Sequence, residues 1–496
     1  MINKNITRFI LIIVSMILFY LSLPNYKFYN GIFAWVSFVG LILVNISVGN
    51  IKKNIIINWL FFILSFSVIL YIDPIYFPLK FSKYIMLGVI IFFLLSSLYY
   101  SVLLTLSLYL SKRLDINYPL TLALTWSIGE LLLTVLPKGF PLSIAISQIY
   151  NIQIIQLASI FGIYIITFLI IWLNGCLATL IYSLAMKANI KNLLLQLSIC
   201  LIVILISAAY GEFRIIQLEK IRTNKQRVVI VQPNFDWLLT AIATDTHKGY
   251  SVTSDRLLYL TKLAFGKYTD NLVLWPELSV NLSGSFEESH IFSELQKFTR
   301  ENQINLLLGV QSKNNQKYNN CAYLLNNYGI IDGFYQKNKL VPFYEREFVS
   351  GIELKPIFSD SALKKIGVMI CFESLFPFIA NNQAKQQSDV LIALANDSWY
   401  GRSNWPLFHA YFMVFRCLET GLPGIHLAVN GPSLNISPIG RIEQHTMPNQ
   451  MVIAEFSVSK NKAKTICNAS RGFSILIFFL GIGIILYFKK GGANQF

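Results

Sequence analysis

The stretch KKIGVMICFES, residues 364–374, decides the fold class and the chemistry of this chain. An apolar run typical of a buried β-strand ends abruptly at Cys371, and Glu373 follows two positions later. Glu277 in NLVLWPELS and Lys337 in FYQKNKLVPFYE stand at similar strand-end or loop positions upstream. A carboxylate, an amine and a thiol in this order provide a base, a cation and a nucleophile. These are the groups needed to acylate a thiol and to pass the acyl group on.

The segments on either side of Cys371 alternate between strands and helices. Strand-like runs begin near residues 228, 271, 304, 321, 365, 389, 424 and 450. Stretches such as TSDRLLYLTKLAF and FSELQKFTRE repeat apolar residues at helical spacing. This alternation is typical of α/β layering. We expect a loop or lid beside the site at about 344–364, where no period is evident.

The rest of the chain has the composition of a membrane protein. Hydrophobic residues make up 54% of its 496 residues, charged residues make up 13%, and the mean hydropathy is +0.54. A helix needs about 20 apolar residues to cross a bilayer. Eight stretches predict such helices: about 9–26, 31–50, 54–72, 84–111, 117–136, 156–184, 192–211 and 472–488. The predicted domains are therefore a membrane domain at 1–211, an extramembrane domain at 212–470, and a last span with a cytoplasmic tail at 471–496.

The basic residues predict the orientation of these spans. With a cytoplasmic N-terminus, ten lysines and arginines at the span ends fall inside and five fall outside, as the positive-inside rule requires. Both termini are then cytoplasmic, and residues 212–470 lie on the opposite side. The net charge of +16 comes mainly from the membrane part, since residues 212–470 carry 26 basic and 22 acidic residues. This balance argues against a nucleic-acid partner.

Glu130 is an ionisable residue well inside a predicted span, in TWSIGELLLT. A carboxylate within a membrane is costly and is a functional candidate, and a hydrogen bond between packed helices is the alternative. Because Glu130 stands nearly alone, a transporter or receptor with several polar residues in its spans is disfavoured.

The cysteines outside the spans are Cys321, Cys371, Cys417 and Cys467. Two disulfides are the structural alternative for them, and an inert buried thiol is the alternative for Cys371. Disulfides fit poorly because Cys321 and Cys371 belong to apolar strands. No CxxC pair or His/Cys cluster suggests a metal, so we expect neither a metal nor another cofactor.

Four motifs occur in order along the chain: WPE, QKNKLVPFYE, ICFE and NDSWYG. Together they resemble those of the nitrilase, or carbon–nitrogen hydrolase, superfamily. GELLLTVLPKGFPLSIAISQ and IIQLASIFGIYIITFLI are similar to spans of its membrane-embedded branch, the apolipoprotein N-acyltransferases. The resemblance implies an eight-span membrane domain joined to an αββα sandwich.

The resemblance also implies roles for individual residues. Glu277 is expected to act as the general base, Cys371 as the nucleophile, and Lys337 as the cation that stabilises the oxyanion. Lys337 is preferred to the nearby Lys339 because its spacing to Glu345 matches the family pattern. We expect its charged neighbours to ionise Cys371. The other expected residues are Glu345, Glu373, Phe372, Asn396 and Trp399 in support, and Trp237, Tyr344 and Arg416 at the substrate.

The implied reaction moves a fatty acyl chain from a phospholipid to the N-terminal diacylglyceryl-cysteine of an apolipoprotein, through a thioester on Cys371. The implied place is a bacterial inner membrane with the catalytic domain in the periplasm, and we expect a monomer. A membrane-tethered amidase or nitrilase that uses water as acceptor is the alternative. Departures from the family pattern, at Phe372, Tyr344, Leu422, His426 and Val429, also leave an inactive family member open.

Overall fold

The computed structural model describes residues 4–70, 83–136, 139–220, 224–235, 252–264, 272–314, 317–342, 344–401, 403–460, 462–469 and 481–482. The chain divides into two compact units. One includes Met1–Ile72 and Lys83–Gln217, and the other includes Leu218–Asn468.

The first unit is built of apolar helices. Those described are α1 (Lys4–Ser22), α2 (Val39–Val48), α3 (Ile51–Leu70), α4 (Lys83–Leu114), α5 (Tyr118–Val135), α6 (Ile152–Ile155), α7 (Ala158–Phe161), α8 (Tyr164–Ala185) and α9 (Lys191–Glu219). Among the described residues, 6 segments are long and apolar enough to cross a membrane: Lys4–Ser22, Gly31–Val48, Ile90–Leu114, Tyr118–Val135, Tyr164–Ala185 and Lys191–Glu219. Their outer faces carry large exposed apolar side chains, such as Leu205 and Ile206 on α9, as lipid contact requires.

A helix occupies each of the predicted span positions before residue 212, with two differences. The span expected at 156–184 begins only at Tyr164, because α7 ends at Phe161 and the φ of 72° at the next residue, Gly162, interrupts the helix. Helix α9 continues beyond residue 211 to Glu219. The eighth span, 472–488, lies outside the described residues apart from 481–482, so the total of eight stays a prediction.

Glu130 is a buried packing residue of the first unit, with 2% of its surface exposed. Its Oε2 accepts hydrogen bonds from Ser143 Oγ and Thr167 Oγ1, both at 2.7 Å. Its Oε1 accepts from Trp126 Nε1 at 3.1 Å and from the Ile144 N–H at 3.4 Å. These four donors favour the packing interpretation of Glu130 over the functional one.

The second unit contains two β-sheets. The first sheet has the order β13–β1–β2–β4–β5–β6, with β3 paired to β4, and the second has the order β12–β11–β10–β9–β8–β7. The strands are β1 (Lys225–Gln232), β2 (Leu272–Leu274), β3 (Val280–Asn281), β4 (Asn305–Asn314), β5 (Lys317–Leu325), β6 (Ile331–Gln336), β7 (Ile357–Phe358), β8 (Lys365–Ile370), β9 (Val390–Ala395), β10 (Gly424–Ala428), β11 (Leu434–Ile436), β12 (Ile442–His445) and β13 (Val452–Ser459). The described helices are α10 (Val252–Ala264), α11 (His290–Asn302), α12 (Pro377–Lys385), α13 (Trp405–Thr420) and α14 (Ile466–Ala469).

The alternation of side chains along β1 shows how the layers pack. Val228 and Ile230 join a core that also contains Val368 from the second sheet, so these residues lie between the sheets. Val229 and Val231 join a second core with residues of α10 and α11. Since successive side chains of a strand point to opposite faces, the first sheet is covered by helices on its other face. Helices α12 and α13 pack on strands β8 and β10, which completes the nitrilase-like αββα sandwich.

Every strand predicted from an apolar run is present in the structure. The strands that the sequence did not reveal are β3, β6, β7, β11 and β12. They are two to six residues long. The most consequential is β6, IDGFYQ, which lies at a sheet edge and is only partly buried. Its polar residues hide the pattern by which strands are recognised.

Candidate active site

The predicted catalytic residues follow the carboxyl ends of strands. Glu277 comes three residues after β2, and Lys337 and Cys371 come directly after β6 and β8. Strand β2 is parallel to β4, while β4–β5 and β5–β6 are antiparallel. Strand β6 therefore runs in the same direction as β2, and both end at the same edge of the first sheet. This edge is where open α/β sheets bind their ligands.

The structure brings Glu277, Lys337 and Glu345 together in a buried cluster. Lys337 Nζ donates to Glu277 Oε1 at 3.0 Å and to Glu345 Oε1 at 2.8 Å. The lysine is 1% exposed, and neither carboxylate exceeds 5%. Glu345 Oε2 also accepts the Val341 N–H at 2.6 Å, which fixes the loop that carries it. Lys339, by contrast, lies over the ring of Phe376.

Two asparagines hold Glu277 in this cluster. Asn320 Nδ2 donates to Glu277 Oε1 at 2.8 Å and to Glu345 Oε1 at 3.2 Å. The backbone N–H of Asn396 donates to Glu277 Oε2 at 2.9 Å. Asn396 was expected from the sequence, but Asn320 was not. The pairing of β5 with β6 brings Asn320 to the cluster, since the Lys337 N–H donates to the Asn320 carbonyl at 2.9 Å. Because the sequence did not reveal β6, it did not reveal this contact.

The backbone beside Glu277 is tightly constrained. Trp275 is fully buried and donates from Nε1 to Thr261 on α10 at 2.9 Å. On the other side, a Cβ at Gly309 would lie 2.6 Å from Glu277 Cα, so only glycine lets β4 pass this close. Leu278 adopts the left-handed φ of 56°. The general-base candidate therefore sits on a short, rigid segment.

Cys371 is a free cysteine, 5% exposed, at the end of β8. Its φ of 50° is in the left-handed region, which is strained for a residue with a side chain. Burial raises the pKa of the Cys371 thiol well above its usual range, and the charge of Glu277 adds to this, whereas Lys337 opposes it. The expectation that its neighbours ionise the resting thiol is therefore wrong. The negative carboxylates and the loss of water outweigh one ammonium group.

Lys337 keeps its positive charge in this setting. Burial alone would lower its pKa, but the charges of Glu277 and Glu345 raise the pKa of Lys337 well above its usual value. The site at rest thus holds an ammonium between two carboxylates, next to a neutral thiol. Glu277 can accept the thiol proton during attack, and Lys337 can stabilise a negative oxygen.

Glu373 joins the strand end of Lys337 to that of Cys371. Its Oε2 accepts the Ile370 N–H at 2.7 Å, and its Oε1 accepts the Asn338 N–H at 2.6 Å. The hydroxyl of Tyr335 donates to the same Oε1 at 2.9 Å. Burial raises the pKa of Glu373 to about 7, although these backbone donors oppose the shift. Glu373 therefore fixes the spacing between the lysine and the nucleophile.

A second polar cluster lies behind the nucleophile. Asp397 Oδ1 is 2.8 Å from His409 Nδ1, and His409 Nε2 is 2.9 Å from the carbonyl oxygen of Cys371. His426 Nε2 lies 3.9 Å from Asp397 Oδ2. Among the described residues this trio could hold a metal ion, since its ligand atoms lie within 4.8 Å of one another. The 2.8 Å and 2.9 Å distances at His409 are those of hydrogen bonds, so its two nitrogens are already used.

Two further predicted residues lie at the nucleophile turn and in the loop after β9. Phe372 is buried and packs edge-on against Phe376, with ring centres 4.9 Å apart. Trp399 belongs to the short helical turn Ser398–Tyr400. These positions fit a supporting role.

The predicted substrate-binding residues have varied positions. Tyr344 is half-buried in the turn before Glu345, and Trp237 lies outside the described residues. Arg416 is fully buried, 3.0 Å from Glu419, and donates to the Leu375 carbonyl at 3.1 Å. Its guanidinium is therefore engaged inside the protein, and its position does not support a substrate contact.

Comparison with known proteins gives two family matches. Residues 15–176 match the apolipoprotein N-acyltransferase N-terminal domain, and residues 216–460 match the carbon-nitrogen hydrolase family. The apolipoprotein N-acyltransferase of Geobacter metallireducens is 27% identical over 67% of this chain and 67% of its own length. Apolipoprotein N-acyltransferase 1 of Treponema denticola is 24% identical over 95% of this chain and 93% of its own. A solved carbon-nitrogen hydrolase from Helicobacter pylori G27 covers 52% of this chain and 94% of its own, at 18% identity and a TM-score of 0.38.

Proposed function

This chain belongs to the apolipoprotein N-acyltransferase family, and on that premise we propose that it transfers a fatty acyl chain from a membrane phospholipid to an apolipoprotein. The acceptor is the α-amino group of the N-terminal diacylglyceryl-cysteine. The observation that carries the proposal is the buried cluster of Glu277, Lys337 and Glu345 acting on the free thiol of Cys371. We further propose that the protein works as a monomer in a bacterial inner membrane, with its catalytic domain in the periplasm.

The first half-reaction acylates the enzyme. Glu277 takes the proton of the Cys371 thiol as Sγ attacks the ester carbonyl of the phospholipid. Lys337 stabilises the negative charge that develops on the carbonyl oxygen. A carbon–sulfur bond forms and the ester carbon–oxygen bond breaks. The proton passes from Glu277 to the leaving oxygen, which departs on a lysophospholipid. Loss of one oxyanion donor from such a site lowers the rate by on the order of 10²–10³.

The second half-reaction transfers the acyl group. The neutral α-amino group of the acceptor attacks the thioester, so that a carbon–nitrogen bond forms and the carbon–sulfur bond breaks. Glu277 takes the proton from nitrogen and returns it to sulfur. The products are an N-acylated, triacylated lipoprotein and the free thiol enzyme. This order of events is a ping-pong mechanism, because the lysophospholipid leaves before the acceptor reacts.

The apolar helices support lipid substrates on energetic grounds. Moving an acyl chain from lipid to water costs about 0.8 kcal/mol per methylene, so a long chain is not carried through water between two soluble partners. An enzyme with its own membrane spans stays in the same bilayer as both lipid-anchored substrates. This arrangement fits the apolar helices Lys4–Ser22, Tyr164–Ala185 and Lys191–Glu219.

The test is to incubate the purified protein with a phospholipid and a diacylated lipopeptide, and to follow both by mass spectrometry. We expect one added acyl group on the lipopeptide amine, and an acyl mass on the enzyme that hydroxylamine removes. Cys371→Ala should show neither product. Release of free fatty acid with an unmodified lipopeptide would instead identify water as the acceptor and support the hydrolase alternative.

A further inference from the structure

His409 on α13 makes two hydrogen bonds that together determine its charge. Its Nδ1 contacts a carboxylate oxygen of Asp397 at 2.8 Å, and its Nε2 contacts the carbonyl oxygen of Cys371 at 2.9 Å. With Asp397 ionised, both partners are acceptors, so both ring nitrogens donate. A neutral imidazole has one N–H, whereas an imidazolium has two. The geometry therefore fits a protonated His409 beside an ionised Asp397.

The electrostatics of the cluster agree with this assignment. Burial acts to lower the pKa of His409, but the charge and hydrogen bond of Asp397 raise it above its ordinary value. Burial likewise acts to raise the pKa of Asp397, and His409 overcomes this and lowers it to about 2. The ring of His426 on β10 stands edge-on to His409 at 5.1 Å. Burial lowers the pKa of His426, which leaves it as the neutral neighbour.

The atom held by His409 belongs to the nucleophile itself. The Cys371 carbonyl belongs to a residue whose φ is 50°. A backbone conformation in this strained region persists only when its surroundings fix it. On the other side of Cys371, the N–H of the preceding residue, Ile370, donates to the Glu373 side chain. The nucleophile turn is thus fixed on both sides by buried titratable groups.

We propose that Asp397 and protonated His409 form a buried positioning pair that fixes the carbonyl of Cys371, and with it the left-handed backbone that aims the thiol. His409 is a positioning residue here, since it acts through the backbone of Cys371. The proposal rests on the thioester function proposed above. The titratable groups that face His409 are Asp397, Glu277 and Cys371 at strand ends and His426 on β10.

The first test compares His409→Leu and His409→Gln in the full-length protein. We expect His409→Leu to slow acyl-enzyme formation by about 10²-fold, the effect of misplacing a nucleophile by about 1 Å, with the phospholipid KM unchanged. Gln should recover part of the rate, because its amide can still donate to the carbonyl. His445→Gln, an exposed histidine on β12, is the control. A wild-type acylation rate in a folded His409→Leu protein would overturn the proposal.

The second test uses pH and does not depend on that variant. Asp397→Asn removes the charge that raises the pKa of His409, so its imidazolium should lose a proton at a lower pH than that of the wild type. Nitrogen-15 spectra of the histidine-labelled wild type should show two protonated ring nitrogens for His409 at neutral pH, assigned by comparison with His409→Gln. A neutral ring would refute the pair even if no acyl-enzyme forms. An enzyme that is never acylated but shows the imidazolium would refute the proposed function alone.

Discussion

The side-chain amide of Asn320 donates to Glu277 Oε1 at 2.8 Å, and this contact joins the middle of one strand to the end of another. Asn320 lies on β5, opposite the residue that follows β6, and Glu277 follows β2. The amide therefore aligns the general-base candidate with the lysine. It also provides a hydrogen-bond donor to a carboxylate that is 3% exposed.

Replacing Asn320 with Ala should slow acyl-enzyme formation by about 10- to 100-fold. A hydrogen bond to a charged group contributes about 1.5–3 kcal/mol, and each 1.36 kcal/mol of lost transition-state stabilisation is tenfold in rate. The measurement is single-turnover acylation by intact-protein mass spectrometry. Asn319→Ala is the matched control, since Asn319 bonds to Gln336 and not to the cluster. Equal acylation rates for the two variants would show that Asn320 does not contribute to the reaction.

Glu277→Gln should change two properties of Cys371 in opposite directions. The charge of Glu277 adds to the effect of burial in raising the thiol pKa, so its removal lowers that pKa and increases the thiolate fraction at pH 7–8. Alkylation of Cys371 by iodoacetamide should become faster. Acyl transfer should fall by on the order of 10²–10⁴, because the general base is gone. Peptide mapping after timed alkylation measures the first effect, and lipopeptide acylation measures the second.

The control for this experiment is Glu288→Gln, an exposed residue of the same domain. Slower alkylation in Glu277→Gln would mean that Glu277 ionises the resting thiol, contrary to the charges described above.

Glu345→Ala should be far more harmful than Glu347→Ala, although the two residues are neighbours in one loop. Glu345 is 5% exposed and pairs with Lys337 at 2.8 Å, whereas Glu347 is exposed. Removing one partner of a buried ion pair costs about 3–5 kcal/mol. We expect a lower temperature of thermal inactivation and a loss of acylation for Glu345→Ala alone. Equal inactivation temperatures and acylation rates for the two variants would refute the proposal that Glu345 positions Lys337.

Arg416→Leu should lower stability and leave the phospholipid KM of the surviving folded enzyme unchanged. The guanidinium is fully buried against Glu419, so its loss removes the ionic partner of a buried carboxylate, at about 3–5 kcal/mol. Arg441→Leu, at an exposed ion pair with Glu219, should cost about 1 kcal/mol or less. A raised KM with an unchanged inactivation temperature would restore Arg416 as a substrate-binding residue.

Glu130→Gln and Glu130→Leu should separate polarity from size in the membrane unit. Ser143 and Thr167 can rotate their hydroxyls to accept from a glutamine amide, and the donors Trp126 and Ile144 keep an oxygen partner. We expect near wild-type stability for Gln. Leucine removes the acceptor of the Trp126 and Ile144 donors, which should lower the stability by about 1–3 kcal/mol for each buried group. Thermal inactivation in detergent measures the difference, and equal losses would argue for a role of the charge.

The elements that sequence patterns predict are those buried on both faces. Strand β9 is a continuous apolar run of six residues, and β8 is buried and uncharged after its first residue, Lys365. Such runs are visible without knowledge of their partners. The polar residues that end them, Cys371 and Asn396, could then be placed at a sheet edge. The spans before residue 212 were predictable for the same reason, since length and hydropathy are local properties.

The contacts that sequence patterns miss depend on register and depth. Asn320 reaches Glu277 only because β5 pairs with the weakly patterned strand β6. His409 meets Cys371 across 38 positions of chain, and nothing local marks its helix face as the inner one. The neutral state of the Cys371 thiol follows from burial, which residue order does not reveal.

The left-handed backbone at Cys371 and Leu278 has an evolutionary consequence. Strain of this kind costs about 1–3 kcal/mol at each residue, and glycine would relieve it for an entropic penalty of roughly 0.5–1 kcal/mol. Sequences selected only for heat resistance should therefore accumulate glycine at both positions. At position 278 such a change spares every reacting group, but at position 371 it deletes the sulfur. Durability and turnover are consequently in competition at a single residue of this enzyme.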